Sequence, residues 1–167
     1  RGPLPYTPTS FNDDVLFRWV KDWLRTIDYL KTRSDIDVER LAFEGGSLGG
    51  FMGSYISGPK NPRFRACILW LGGIPLWDNL DPEHDSANYL PRFTIPVLMI
   101  NGQYDPVFPL ETSAKPMFEL LGTPASDKYH IVVPEGQHGG WSRKLDDEVV
   151  EFLDKYLGKP ATHAKRD

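Results

Sequence analysis

Apolar residues along the chain of 167 residues occur in two patterns, short continuous runs and runs with helical spacing. The continuous runs predict four buried strands, at Leu41–Glu44, Arg65–Leu71, Pro96–Asn101 and Lys128–Val133. The periodic runs predict a helix from a cap at Asn12 or Asp13 to about Arg33, a helix from Ser47 to Gly58, and helices at Leu110–Leu121 and Trp141–Leu157. Strands that alternate with helices predict an α/β fold with a parallel sheet and right-handed crossovers.

A serine between glycines follows the first predicted strand and begins the second predicted helix. Residues 45–49 have the sequence Gly-Gly-Ser-Leu-Gly, which fits the G-x-S-x-G nucleophile elbow. Such an elbow exposes the serine hydroxyl on a strained turn, and we expect glycine at Gly45 and Gly49 because side chains there would collide. The backbone N–H of Leu48 would lie at a helix N-terminus and donate to an oxyanion. The motif therefore predicts that Ser47 is a nucleophile.

Two further polar groups follow the later predicted strands. Asp105 comes just after the third strand, and His138 lies in the glycine-rich loop after the fourth. Because the carboxyl ends of parallel strands meet at one edge of a sheet, we expect both side chains near Ser47. The order Ser, Asp, His along the chain is the order of a triad that begins with such an elbow. The sequence therefore predicts a triad of Ser47, Asp105 and His138.

Other acids and histidines have less suitable positions. Asp127 precedes the last predicted strand and is expected at the opposite end of the sheet, while Glu111 and Glu135 stay open as alternatives to Asp105. His130 lies within the last strand, where a satisfied core or edge histidine is expected. The sequence contains no His and Cys cluster with zinc spacing. We therefore expect no metal and no other cofactor.

These motifs resemble the catalytic C-terminal portion of an α/β-hydrolase. The resemblance depends on the elbow at 45–50, on Ile95–Asp105 and on the loop Glu135–His138, and it covers residues 12–157. Among α/β-hydrolases the chain is most similar to dienelactone-hydrolase-like and acetyl-xylan-esterase-like enzymes. The doubled Gly-Gly-Ser-x-Gly-Gly also resembles the prolyl oligopeptidase family. The resemblance implies a mostly parallel sheet with helices on both faces.

The chain departs from that family before the elbow. Several strands are expected there, but residues 1–11 form a proline-rich loop without a strand pattern. The loop that supplies a second oxyanion donor, often His-Gly-rich in esterases, is missing too. We therefore expect either a minimal hydrolase or an N-terminally truncated one. Because an unpaired apolar strand favours pairing with another chain, we expect either a homodimer or a missing N-terminal segment as its partner.

Composition and charge narrow the possible partners and locations. With 40% apolar and 25% charged residues, the chain is expected to form one domain over residues 1–167, with 161–167 as a tail. A net charge of −4 argues against nucleic acid and against an anionic membrane surface. No apolar run approaches the ~20 residues of a membrane span, and no signal peptide is visible, which favours a cytoplasmic location.

The connection from Gly72 to Phe93 is the least regular part of the chain. In this fold, the corresponding region often covers the substrate pocket. Trp77 and Tyr89 are therefore candidates to line a pocket, and the alternative is a surface excursion anchored by these aromatic side chains.

The sequence as a whole predicts a serine carboxylic-ester hydrolase that acts on small-molecule, short-chain acyl esters. Ser47 would attack the ester, His138 would act as the base, Asp105 would orient His138, and Leu48 would donate to the oxyanion. The alternatives are a serine peptidase like prolyl oligopeptidase, or a non-catalytic hydrolase remnant that acts as an interaction module.

Overall fold

The computed structural model describes residues 14–56, 63–76, 82, 85–139 and 143–160. Within these residues a parallel sheet has the strand order β1-β2-β3-β4. The strands are β1 (Ala42–Gly46), β2 (Ala66–Trp70), β3 (Val97–Gly102) and β4 (Lys128–Val133). The predicted α/β fold with a parallel sheet is confirmed. The largest difference is at β1, which continues through both glycines before Ser47.

Four α-helices accompany the strands in the described part of the chain. They are α1 (Asp14–Leu30), α2 (Leu48–Ile56), α3 (Lys115–Leu120) and α4 (Arg143–Leu157). None of the described helices is long and apolar enough to cross a membrane. The predicted caps at Asn12 and Asp13, the ends at Gly58 and Trp141, the loop 1–11 and the tail 161–167 lie outside the described residues.

Two predicted helices differ in their details. The first α-helix ends at Leu30 instead of Arg33, because Thr32 and Arg33 donate to carbonyls three residues back and so tighten the chain into a turn. The helix predicted at Leu110–Leu121 begins as a π-helical turn, Leu110–Ala114, and becomes α-helical only from Lys115. Pro116 has no N–H to donate, so the usual helical hydrogen bond is missing where the two geometries meet.

Side chains of the two central strands alternate between two apolar cores. On one face, Cys67, Leu69, Val97 and Met99 pack with residues of α1, α2 and α3. On the other face, Ile68, Trp70, Leu98 and Ile100 pack with Leu145, Val149 and Phe152 of α4. Because both faces of a parallel sheet must be covered, the central strands are continuous apolar runs. The expected helices on both faces are confirmed.

The first strand lies at the edge of this sheet. It pairs with β2 on one side, and no other described strand pairs with its outer side. An edge without a partner strand leaves backbone donors and acceptors available for pairing. The association expected from this edge, with a second copy or an N-terminal segment, stays a prediction.

Close backbone packing fixes the position of α2 on the sheet. A Cβ atom at Gly45 would lie 2.5 Å from the carbonyl carbon of Gly49, and one at Gly50 would lie 2.6 Å from the carbonyl oxygen of Trp70. A Cβ atom at Gly49 would have no neighbour within 4 Å. The expected need for glycine at Gly49 is therefore wrong, because Gly45 approaches the backbone of Gly49 and not its side-chain position. After Ser47, the position in the turn that has no room for a side chain is Gly50, where α2 meets the end of β2.

Alanine substitutions should separate these two glycines. Gly45→Ala is expected to lower the free energy of unfolding by about 1–3 kcal/mol, because the new methyl group meets backbone atoms that cannot move aside. Gly49→Ala, the matched control in the same turn, should change it little or raise it by up to about 1 kcal/mol, since alanine favours the helix. Urea denaturation measures both. Equal losses would show that the packing of α2 on β1 is not what requires Gly45.

Candidate active site

Ser47 forms the turn between β1 and α2. Its φ of 54° is in the left-handed region, which residues other than glycine rarely adopt. Two backbone hydrogen bonds hold the turn: the Ser47 N–H donates to the Trp70 carbonyl at 2.8 Å, and the Ser47 carbonyl accepts from the Phe51 N–H at 3.0 Å. The first bond joins the turn to β2 and the second begins the helix. The serine therefore has the strained geometry that a nucleophile elbow requires.

His138 lies between Ser47 and Asp105. Its Nε2 is 2.7 Å from Ser47 Oγ, and its Nδ1 is 2.8 Å from Asp105 Oδ2. If the carboxylate is ionised, Nδ1 carries the proton and donates to it, and Nε2 is then free to accept from the serine hydroxyl. The structure thus brings the three predicted side chains together in the order that proton transfer from Ser47 to His138 requires.

Asp105 is held by its own loop. The residue is 3% exposed, and its Oδ1 accepts from the backbone N–H groups of Val107 at 2.8 Å and Phe108 at 3.0 Å. Backbone donors stabilise a buried negative charge and leave Oδ2 to the histidine. This arrangement fixes the direction in which the carboxylate faces His138.

The loop that carries His138 rests directly on the end of β3. A Cβ atom at Gly102 would lie 2.2 Å from the carbonyl oxygen of Gln137, so only glycine fits there. The Tyr104 N–H donates to the Gly136 carbonyl at 2.7 Å, and Glu135 adopts a φ of 57° to turn the loop. The strand pattern alone does not predict this close packing, although a glycine directly after an apolar strand indicates a close approach of another backbone.

Leu48 supplies a backbone donor beside Ser47. It is the first residue of α2, so its N–H has no carbonyl partner within the helix. Its side chain is among the exposed apolar ones, at 39%. The N–H therefore has the position expected of an oxyanion donor, and that role stays a prediction.

The two predicted pocket residues have different outcomes. Trp77 lies outside the described residues. Tyr89 is half-buried and packs against Tyr55 of α2, with ring centroids 5.1 Å apart. This contact anchors the connection on the helix that follows Ser47. A role for Tyr89 in a substrate pocket stays a prediction.

The other acids that were considered for the triad have different surroundings. Asp127 lies at the start of β4, where it accepts from Tyr156 Oη at 2.7 Å, and that hydrogen bond lowers the pKa of its carboxyl. Glu111 pairs with Lys115 at 2.6 Å, and Glu135 is exposed. Among the described residues no group of His, Cys, Asp and Glu side chains could hold a metal ion.

His130 lies on the face of the sheet that carries α2 and α3. Its Nε2 is 3.0 Å from Asn101 Oδ1, and its ring packs on Phe118 with centroids 5.0 Å apart. Burial and, to a smaller extent, the positive charge of Lys115 together lower its pKa from 6.5 to about 4. His130 is therefore neutral at pH 7, and it has the satisfied position that was expected for it.

Known proteins with similar sequences include one that is named as an acetyl esterase. The profile of the prolyl oligopeptidase family matches residues 17–72. The chain is 29% identical to the uncharacterized protein YfhR of Salmonella typhimurium, over 81% of this chain and 54% of that protein. It is also 29% identical to acetyl esterase Axe7A of Xylanibacter ruminicola, over 69% of this chain and 31% of that protein. The chain thus spans about half the length of YfhR.

Solved structures show the same fold. Acetyl xylan esterase 1 from Thermoanaerobacterium sp. matches with a TM-score of 0.71 at 20% identity, over 93% of this chain and 60% of that chain. The fold, with its serine turn at the end of β1, is that of an α/β-hydrolase.

The lowered pKa of His130 should appear in the pH dependence of stability. As the pH falls below about 6.5, the unfolded chain binds a proton at this position, whereas the folded chain does so only near pH 4. The stability that depends on neutral His130 is therefore present above pH 6.5 and is lost as the pH falls towards 4. His130→Phe removes the titrating group, so the stability difference between wild type and variant should shrink by on the order of 1–3 kcal/mol over that interval.

Urea denaturation of both proteins at several pH values between 7 and 4.5 measures this difference. All other titrating groups are common to the two proteins and cancel in the comparison. A difference that stays constant over the interval would show that His130 titrates at its ordinary pKa.

Proposed function

We propose that this chain hydrolyses carboxylic esters with short acyl groups through a covalent intermediate on Ser47. The observation that carries the proposal is the continuous contact from Ser47 Oγ through His138 to Asp105, with 2.7 Å and 2.8 Å between the polar atoms. A serine hydroxyl needs an adjacent base to act as a nucleophile, and the base needs an orienting group. His138 meets the first requirement and Asp105 meets the second.

The reaction follows from the positions of the atoms. Ser47 Oγ attacks the ester carbonyl while His138 Nε2 takes the hydroxyl proton, and the new oxyanion faces the Leu48 N–H. His138 then gives the proton to the departing alcohol, which leaves an acyl group on Ser47. Water repeats the sequence with His138 as the base and releases the acid. Asp105 keeps the proton of His138 on Nδ1 and stabilises the imidazolium in both halves of the reaction.

The strength of oxyanion stabilisation sets the expected rate. Removal of one oxyanion donor costs serine hydrolases about 10²–10³ in kcat. If the Leu48 N–H works alone, the chain is expected to turn over slowly. We propose that a second donor comes from the N-terminal segment or from a partner chain.

An ester is the favoured substrate class because of the relatives. Axe7A is named as an acetyl esterase, and acetyl is a short acyl group. A peptidase is the second candidate, favoured by the match of residues 17–72 to the prolyl oligopeptidase family. Parallel assays with nitrophenyl acetate and with a dipeptide nitroanilide distinguish the two. Hydrolysis of neither substrate would favour a non-catalytic module instead.

The first variant tests the nucleophile. Ser47→Ala is expected to reduce the kcat/KM for nitrophenyl acetate by at least about 10³-fold, because the variant lacks the hydroxyl that forms the acyl-enzyme. Ser54→Ala is the matched control: this serine also lies on α2, but it is buried and bonds only to the Phe51 carbonyl. The control should keep its activity. Full activity of Ser47→Ala would exclude Ser47 as the nucleophile.

The second variant tests the acid. Asp105→Asn is nearly isosteric, but its amide N–H₂ can face His138 Nδ1 and force the proton onto Nε2, where it blocks the base. We expect kcat to fall by roughly 10²–10⁴-fold. Glu111→Gln and Glu135→Gln are the controls, since both acids were alternatives, and each should retain its kcat. A large loss in either control with an active Asp105→Asn variant would reassign the acid.

A further inference from the structure

A row of polar groups runs across the sheet from β4, at the edge opposite β1, towards the serine turn. His130 of β4 contacts Asn101 of β3 at 3.0 Å, and Asn101 Nδ2 donates to the Gly72 carbonyl at 2.8 Å. Asn101 is fully buried, at 0% exposure. We call these three residues, His130, Asn101 and Gly72, the brace. None of these three residues takes part in the reaction proposed above.

The orientation of each group in the brace is determined. A carbonyl only accepts hydrogen bonds, so the amide N–H₂ of Asn101 must face Gly72, and Oδ1 must face His130. Oδ1 also only accepts, so His130 Nε2 must carry a proton and donate it. A neutral imidazole with its proton on Nε2 meets this need. Both polar atoms of the buried Asn101 side chain, Oδ1 and Nδ2, therefore have a hydrogen-bond partner.

The brace ends on the segment that supports α2. Leu71 has a φ of 50°, and its N–H donates to the Ile100 carbonyl at 2.7 Å. A Cβ atom at Gly72 would lie 2.8 Å from the carbonyl carbon of Gly50, so the backbones of Gly72 and Gly50 are in direct contact. Gly50 lies in the first turn of α2, next to the backbone N–H of Leu48. A shift of Gly72 would therefore shift this turn.

A second hydrogen bond holds the same segment. Ser113 Oγ donates to the Ile74 carbonyl at 2.7 Å, and Ser113 belongs to the π-helical turn. The left-handed conformation of Leu71 is unfavourable, and it persists only where surrounding contacts restrain it. The hydrogen bonds to the carbonyls of Gly72 and Ile74 restrain the segment that directly follows Leu71.

We propose that Asn101 and His130 are positioning residues for the serine turn. They hold Gly72 against the first turn of α2, and so keep the Leu48 N–H and Ser47 in fixed relation to each other. The mechanical part of this proposal is that both residues hold the serine turn in place, and the catalytic part is that this restraint speeds the reaction. Only the catalytic part rests on the proposed ester hydrolysis.

Hydrogen exchange, followed by mass spectrometry, tests the mechanical part. Asn101→Leu removes both hydrogen bonds but keeps a side chain of four heavy atoms branched at Cγ, and His130→Phe keeps the ring on Phe118 but removes the donor. Thr123→Val is the matched control, because Thr123 is also buried and donates to the Ile95 carbonyl at 2.7 Å, near the opposite end of β3. His130→Gln restores a donor to Asn101.

We expect exchange in peptides covering 43–56 and 69–76 to accelerate by at least about 10-fold in Asn101→Leu, equivalent to 1.4 kcal/mol of local opening free energy. His130→Phe should accelerate it less, and His130→Gln should resemble wild type. Peptides from α4 should exchange at rates explained by the global stability of each variant. Thr123→Val should leave the serine turn protected. If exchange in these peptides accelerates as much in Thr123→Val as in Asn101→Leu, or does not accelerate in Asn101→Leu, the brace does not hold the serine turn.

Ester kinetics test the catalytic part. Because an oxyanion donor acts in the transition state, Asn101→Leu should lower kcat by about 10-fold or more and leave KM within about 3-fold, while Thr123→Val keeps both. A faster-exchanging serine turn with an unchanged kcat would overturn the positioning role. If wild type hydrolyses no ester, the proposed function fails, and the exchange experiment still decides whether the brace holds the turn.

Discussion

The contact between the serine turn and the end of β2 is the constraint on which this site depends. The Ser47 N–H bonds to the Trp70 carbonyl at 2.8 Å, and Gly50 packs on the same carbonyl. These contacts hold a serine in a left-handed conformation, a few ångströms from the backbone that follows β2. Without them the turn could relax, and the hydroxyl would no longer face His138. The position of the nucleophile is therefore a property of backbone packing.

The remaining groups of the site are fixed to neighbouring strand ends in the same way. Asp105 is locked by two backbone donors of its own loop, and the His138 loop lies on Gly102 with no room for a side chain. Parallel strands make this arrangement possible because their carboxyl ends meet at one edge of the sheet. Each functional side chain thus needs only a short, tightly packed loop to reach the others.

Features set by local sequence could be predicted well. The strands are continuous apolar runs because both sheet faces are covered, and the positions of Ser47, Asp105 and His138 follow from the ends of those runs. The π-helical turn at 110–114 could not be predicted, since its residues also suit an α-helix. The need for glycine at Gly50 instead of Gly49 depends on which backbone lies opposite, which is a tertiary property. The bonds from Asn101 to His130 and Gly72 join residues 29 positions apart in each direction, so no local pattern indicates them.

The central claim is that Ser47 is activated by His138 at this turn. Treatment of the native chain with a fluorophosphonate, followed by digestion and mass spectrometry, tests it most directly, because the reagent marks only an activated serine. The account predicts one phosphonyl group per chain on the peptide that contains Ser47, and greatly slowed labelling in His138→Ala. Labelling at a different serine, or equally fast labelling of Ser47 without His138, would contradict it.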